Sequence, residues 1–225
     1  MGWVLIEFVI ERFIMRISLL LNNKSWIYDY EDYLIQGLSG SGRDIDVIYD
    51  FYDLIGGDIL FILGYMKVVP NEVLAKFTHS LVVHESDLPK GKGAAPMTWQ
   101  ILNGSNEIVF SLINACEVLD SGDVFIKRTV MLNGTELCDE WRGIQALNTV
   151  EICNEFLDGY NGIVSIVQKG KESFYPVRKK ENSEIDINKT ISEQFNLLRV
   201  VDNKRYPAFF IKEGIKYVVS INKFE

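Results

Sequence analysis

The two residues best placed to do chemistry are His84 and Asp120. His84 ends the apolar run Leu81-Val82-Val83 and opens the turn-rich loop Glu85-Ser86-Asp87-Leu88-Pro89-Lys90-Gly91-Lys92-Gly93. In an open α/β sheet that is where a strand presents its last side chain to a ligand crevice. Asp120 begins the turn Asp120-Ser121-Gly122-Asp123, and a carboxylate beside an imidazole fixes its tautomer. Such a pair can take up a proton at one stage of a reaction and return it at another. Taken singly, His84 also reads as a hydrogen-bonded core histidine and Asp120 as a turn cap. His79, with no comparable partner, reads as structural.

The elements that must carry these groups follow from periodicity. Met15 to Leu21 reads as a buried strand, with Asn22-Asn23-Lys24-Ser25-Trp26 as the loop at its carboxyl end. Tyr30, Tyr33, Leu34 and Leu38 recur at helical spacing. Strands are expected at 44–49, 58–63, 81–84, 107–113 and 124–131, and a short helix at 71–76. Pro96 opens a helix that Asn103-Gly104 ends. Leu137, Trp141, Ile144, Leu147, Ile152 and Phe156 keep helical period up to Gly159. This alternation implies a Rossmann-like α/β fold with an open, mainly parallel sheet covered on both faces. Past Gly162, Asp186 is expected to cap a helix carrying Ile187, Ile191, Phe195 and Leu198 on one face. The segments 206–211 and 215–221 read as a hairpin around Glu213-Gly214. The reading divides the chain into an extension (1–14), a catalytic domain (15–162) and a small C-terminal helix-plus-hairpin subdomain (163–225), inside which Arg199 would find a carboxylate.

Composition narrows the partners. The 225 residues carry 31 acidic against 23 basic side chains, a formal charge of −8, which argues against transfer RNA or any other nucleic acid. Cys116, Cys138 and Cys153 are odd in number and lack metal-type spacing; they read as reduced residues of a cytoplasmic protein, with no metal site. The apolar start, Trp3 to Ile14, is broken by Glu7, Glu11 and Arg12 and is too short to span a bilayer. It reads as an extension, either an upstream start or a packing arm, rather than a membrane-surface helix.

Taken in order, these residues resemble the formyltransferase family. The resemblance rests on His84-x-Ser86-x-Leu88-Pro89 with its glycine loop, Asp120-x-Gly122 about 36 residues later, and the run Asp58 to Pro70. It implies N10-formyltetrahydrofolate as donor, His84 and Asp120 as the catalytic pair, and Tyr65, Met66, Lys67 and Val69 as one wall of the folate site. Cys116, Glu117 and Asp120 would belong to the opposite wall. Asn23, Lys24, Trp26 and Ser86 are expected on the acceptor side. Lys90 and Lys92 read equally as diphosphate contacts or as solvated lysines.

Phe174-Tyr175-Pro176, Asn196-Leu197-Leu198-Arg199 and Tyr206-Pro207-Ala208-Phe209 resemble the tail of the sugar N-formyltransferase branch. The implied acceptor is the amine of a nucleotide-linked amino sugar. Hydrolysis of the same folate and binding without turnover are the alternatives, and a homo-oligomer is open. Two departures stand out. Family members carry an asparagine two residues before the histidine, or four in a longer variant, where this chain has Val82 and Ser80; sugar-acting relatives often carry a tryptophan where it has Ala94.

Overall fold

The structure, a computed structural model, describes residues 14–224; the expectations for residues 1–13 lie outside the described residues. Six strands form the main sheet: β1 (Met15–Leu21), β2 (Arg43–Ile48), β3 (Gly57–Leu63), β4 (Phe77–His84), β6 (Glu107–Asn114) and β7 (Val124–Met131), in the order β2-β1-β3-β4-β6-β7. The first four pair in parallel and the last two add antiparallel. The sheet is therefore the mainly parallel one that the alternation of strands and helices predicts.

Burial on both sides explains why β1 and β3 are almost uninterrupted hydrocarbon. One core, with Leu19, Leu21, Leu34, Phe61, Leu81 and Trp141, lies under α1 (Glu31–Leu38) and α4 (Cys138–Asp158). A smaller one on the other face gathers Leu20, Phe51, Leu60, Ile62, Val69 and Val73 around α2 (Asn71–Leu74). Glu140 secures the start of α4 by accepting the Leu137 N–H at 2.7 Å, which satisfies one of the free donors of its first turn. Strand order turns at β1, since β2 lies on one side and β3 on the other. The loops after β1 and β3 therefore diverge and leave a crevice at the carboxyl ends.

Two short strands join distant parts of the chain. β5 (Lys92–Gly93), on the loop after His84, pairs in parallel with β8 (Phe174–Tyr175). The helix expected from Asp186 does not form. Gln194 sits inside that loop, its Oε1 accepting the Asp186 N–H at 2.8 Å and its Nε2 donating to the Asp186 carbonyl at 3.0 Å. Ile187 and Ile191 consequently stay exposed, and the helix α5 covers only Phe195–Val200. The hairpin β9 (Ala208–Lys212) and β10 (Ile215–Val219) closes through Glu213-Gly214, both at positive φ. Its turn type suits the strand twist.

Arg199 finds its partner outside the C-terminal segment. Its guanidinium reaches Glu136 Oε2 at 3.2 Å and Asn106 Oδ1 at 3.0 Å, while its carbonyl accepts Trp141 Nε1–H at 2.9 Å. α5 is thus bolted to the main body.

Candidate active site

His84 closes β4 with a buried side chain whose Nε2 lies 2.8 Å from the Gly91 carbonyl oxygen. A carbonyl only accepts, so Nε2 carries a proton and Nδ1 is the nitrogen free to exchange one. Nδ1 stands 3.5 Å from Asp120 Oδ1. Asp120 is held on three sides: its Oδ2 accepts the Gly93 N–H at 2.7 Å, its carbonyl accepts Gln168 Nε2–H at 2.9 Å, and its backbone is left-handed at φ 50°. Aspartate tolerates that conformation better than most residues. The pair is pinned by backbone groups and shielded from solvent.

Gly93 holds this arrangement. Its φ is 101°, and a Cβ there would lie 2.3 Å from the Tyr175 carbonyl oxygen, so only glycine lets β8 come this close. We expect Gly93→Ala to part β5 from β8, pull the N–H from Asp120, and destabilise the protein by more than about 1 kcal/mol. A thermal melt unchanged from wild type would contradict this account of the loop.

A cavity of about 700 Å³ opens at His84 and Asp120. Its walls include Tyr65, Met66, Lys67, Val69 and Cys116 of the residues expected at the folate, and Lys24 and Trp26 of those expected at the acceptor. The structure does not bring the remaining expected residues to it. Asn23 is exposed and outside the walls, and Asn22 lines the cavity instead. Ser86 is buried beneath the loop, its carbonyl accepting the Ser111 hydroxyl at 2.7 Å. Lys92 is buried between Glu172 Oε1 at 2.6 Å and Ser121 Oγ at 2.7 Å, so its charge is consumed structurally. Lys90 is exposed outside the walls, and Glu117 lies at the surface facing the Asn71 N–H at 3.4 Å.

Several wall residues escaped the sequence reading. Cys138, Arg142 and Gln145 fall at i, i+4 and i+7 on α4 and share one face, a stripe that a count of apolar residues alone passes over. Gln145 Nε2 donates to Glu85 Oε1 at 2.5 Å, which brings Glu85 into the wall next to His84. The C-terminal segment adds Tyr175, Arg178 and Tyr206. Burial pushes the Cys138 thiol and the Tyr175 hydroxyl up and draws the Arg142 and Arg178 guanidinium groups down from their usual values. These directions mark a poorly hydrated interior, where charge interactions are strengthened. The Ser80 hydroxyl donates to the Leu74 carbonyl at 3.0 Å, and Val82 presents hydrocarbon to the cavity. Among the described residues no group of three His, Cys, Asp or Glu side chains is arranged to hold a metal, and no helix is long and apolar enough to cross a membrane.

Comparison with known proteins gives a consistent picture. Residues 43–140 match the family model described as Formyl transferase. A methionyl-tRNA formyltransferase of Clostridioides difficile (strain 630) is 30% identical over 165 residues, covering 71% of this chain and 53% of that protein. The chain spans about half the length of the curated relatives it matches. Among solved structures, a methionyl-tRNA formyltransferase from Clostridium thermocellum is similar over 94% of each chain, with a TM-score of 0.78 and 23% identity. A 4-N formyltransferase from Francisella tularensis is similar over 95% of this chain and 99% of that one (TM-score 0.72, 21% identity). A sugar N-formyltransferase from Shewanella sp FDAARGOS_354 is similar over 94% and 98% (TM-score 0.70, 11% identity). At such identities these structures speak for a shared fold.

Proposed function

Because this chain belongs to the formyltransferase family, we propose that it moves a formyl group from N10-formyltetrahydrofolate to the amine of a nucleotide-linked amino sugar. The observation that carries the reading is the buried His84–Asp120 pair inside a cavity large enough for a drug-sized ligand. The folate side fits a pterin. Val69, Val82 and Ala115 offer an apolar slot, and Tyr65 Oη is buried without a protein partner, a donor available to a polar ring edge.

In the reaction the neutral amine attacks the formyl carbon. A carbon–nitrogen bond forms to the acceptor, the bond to folate N10 breaks, and the proton lost by the amine ends on N10. His84 Nδ1 is the atom that takes up and returns this proton, and Asp120 holds the ring and balances its charge. Glu85, one residue further on, supplies a carboxylate on the acceptor side that can accept a hydrogen bond from the amine. Holding donor and acceptor in one enclosed space contributes through orientation. The acidic balance of the chain supports a small acceptor over transfer RNA, whose binding calls for a basic excess.

A second reading, folate binding without turnover, is favoured by Val82 and by the engagement of Ser80 with Leu74, which together leave no oxyanion donor at the place where the resemblance expects one. A missing donor of that kind costs about 10²–10³ in turnover, so slow transfer is the expected behaviour. The test is an acceptor panel at physiological salt, with nucleotide-linked amino sugars beside charged initiator transfer RNA. We expect formylation of one of the sugars; faster formylation of the transfer RNA would overturn the acceptor assignment.

A further inference from the structure

The chain as a whole is acidic, yet its cavity is not. Lys24, Lys67, Arg142, Arg178 and Arg205 line it against the carboxylates of Glu85, Asp120 and Asp202. Most of these cations are already engaged. Arg205 pairs with Asp29 at 2.8 Å and Asp202 at 3.3 Å, Arg178 donates to the Val200 carbonyl and Ser183 Oγ, and Lys67 faces Asp50 at 3.8 Å.

Arg142 differs. Its guanidinium carbon lies 4.5 Å from the Trp26 ring centroid and 4.2 Å from that of Trp141, so the planar group is gripped by two indoles. Among the described residues the side-chain oxygen it donates to is Gln145 Oε1, at 2.6 Å, the Cys138 thiol also faces it, and the Glu85 and Asp202 carboxylates act on it through charge without forming an ion pair. Glu85, the wall carboxylate nearest in the network, receives its own hydrogen bond from Gln145. An aromatic grip fixes the guanidinium without using its donors, which is how arginine is prepared for a planar, bidentate anion contact. A second unmet donor sits in the same cavity wall: Arg178 Nε is buried without a partner.

We propose that Arg142, with Lys24 beside Trp26, anchors the diphosphate of the acceptor. The assignment deepens the transferase reading and rests on it for the identity of the ligand. Two anions could occupy such a site, the acceptor's diphosphate and the glutamyl carboxylates of the donor, and position in the fold separates them. Arg142 projects from α4, which covers one face of the sheet, whereas the folate slot of Val69, Val82 and Ala115 belongs to the core on the opposite face. Arg142 is also linked through Gln145 to Glu85, the residue placed against the amine. Amine and diphosphate contacts thus share one side of the catalytic pair. Trp26 and Tyr206 add aromatic surface on which a base can stack.

The experiment uses intrinsic tryptophan fluorescence, because two tryptophans flank the guanidinium. Inorganic pyrophosphate, a nucleoside diphosphate and tetrahydrofolate are each titrated into the wild type and into Arg142→Met, Arg142→Lys and Lys24→Met. Removing a charge-assisted donor pair should weaken pyrophosphate and nucleoside diphosphate by roughly ten- to a hundredfold in Arg142→Met, with a smaller loss in Arg142→Lys. Tetrahydrofolate affinity should not move. Competition on the wild-type protein covers the case of a variant that does not fold: pyrophosphate should displace the nucleoside diphosphate and leave tetrahydrofolate bound. Unchanged pyrophosphate affinity in a folded Arg142→Met, or displacement of tetrahydrofolate by pyrophosphate, would overturn the proposal. Turnover is not part of the readout, so Arg142-dependent pyrophosphate binding in a protein that formylates nothing would sink the transferase reading and keep the anion anchor.

Discussion

Replacing His84 with asparagine should lower formyl transfer by about 10²–10⁴, the range over which a positioned proton-transfer group acts. Asparagine is the informative choice because its amide overlies the Nδ1 edge of the ring and can still donate to Asp120, although it is too short to reach the Gly91 carbonyl, 2.8 Å from Nε2. What it lacks is a nitrogen that can take up a proton and return it. Asp120→Asn makes the converse change: its amide oxygen can still accept the Gly93 N–H, while the charge at 3.5 Å from Nδ1 disappears. The double variant should be little slower than the worse single one, since groups acting as a unit are not additive. Tetrahydrofolate affinity, followed in the same preparations, should survive all three changes. Wild-type rates in His84→Asn would remove this pair from the mechanism.

Arg199→Leu should cost about 3–5 kcal/mol of stability, the largest loss we anticipate away from His84 and Asp120. Side-chain exposure is 1% for Arg199 and 8% for Glu136, so removing the guanidinium strands a buried carboxylate. It also frees Asn106 and Asn196, which both accept from Arg199 Nη1. The pH dependence carries the same signature. Burial alone would push the Glu136 carboxyl up, but the backbone N–H groups of Asn133, Glu136 and Gly134 and the Arg199 charge outweigh it and hold the group below the usual carboxylate range. A depressed folded-state value contributes stability above the unfolded pKa, and that contribution is lost as pH falls through the folded one. Denaturant unfolding from neutral pH into acid should therefore show a shallower decline in Glu136→Gln than in wild type. An acid limb of identical slope would remove Glu136 from the account.

Much of the fold was legible because its strands are either hydrocarbon throughout, as in β1 and β3, or alternate. The long stripe of α4 is equally plain. The helix expected from Asp186 failed for a reason periodicity does not register: a single side chain, Gln194, offers the loop backbone the hydrogen bonds a helix would have supplied. At the site, strand end and turn alone left His84 open as a core histidine and Asp120 as a turn cap, and it was the family-like pattern around them that singled out the two side chains the fold brings to 3.5 Å. The buried role of Lys92 was not legible, since a lysine among glycines looks solvated until Glu172, 80 residues away in sequence, is brought onto it. Arg142 was hidden in the opposite way. On a helix whose apolar stripe dominates, a lone arginine reads as a solvated face, and only the approach of Trp26 from the first loop gives it a second aromatic wall.

The central claim is that this cavity passes a formyl group to an amine and does not release it to water. N10-formyltetrahydrofolate labelled with carbon-13 in the formyl group, incubated with the protein and followed by NMR with and without nucleotide-linked amino sugars, tests it most directly. The account predicts that the label enters a formamide on one such sugar, with one tetrahydrofolate released per formamide formed, and that it stays on the donor when no acceptor is present. Label appearing as formate at the same rate with or without acceptor would contradict it.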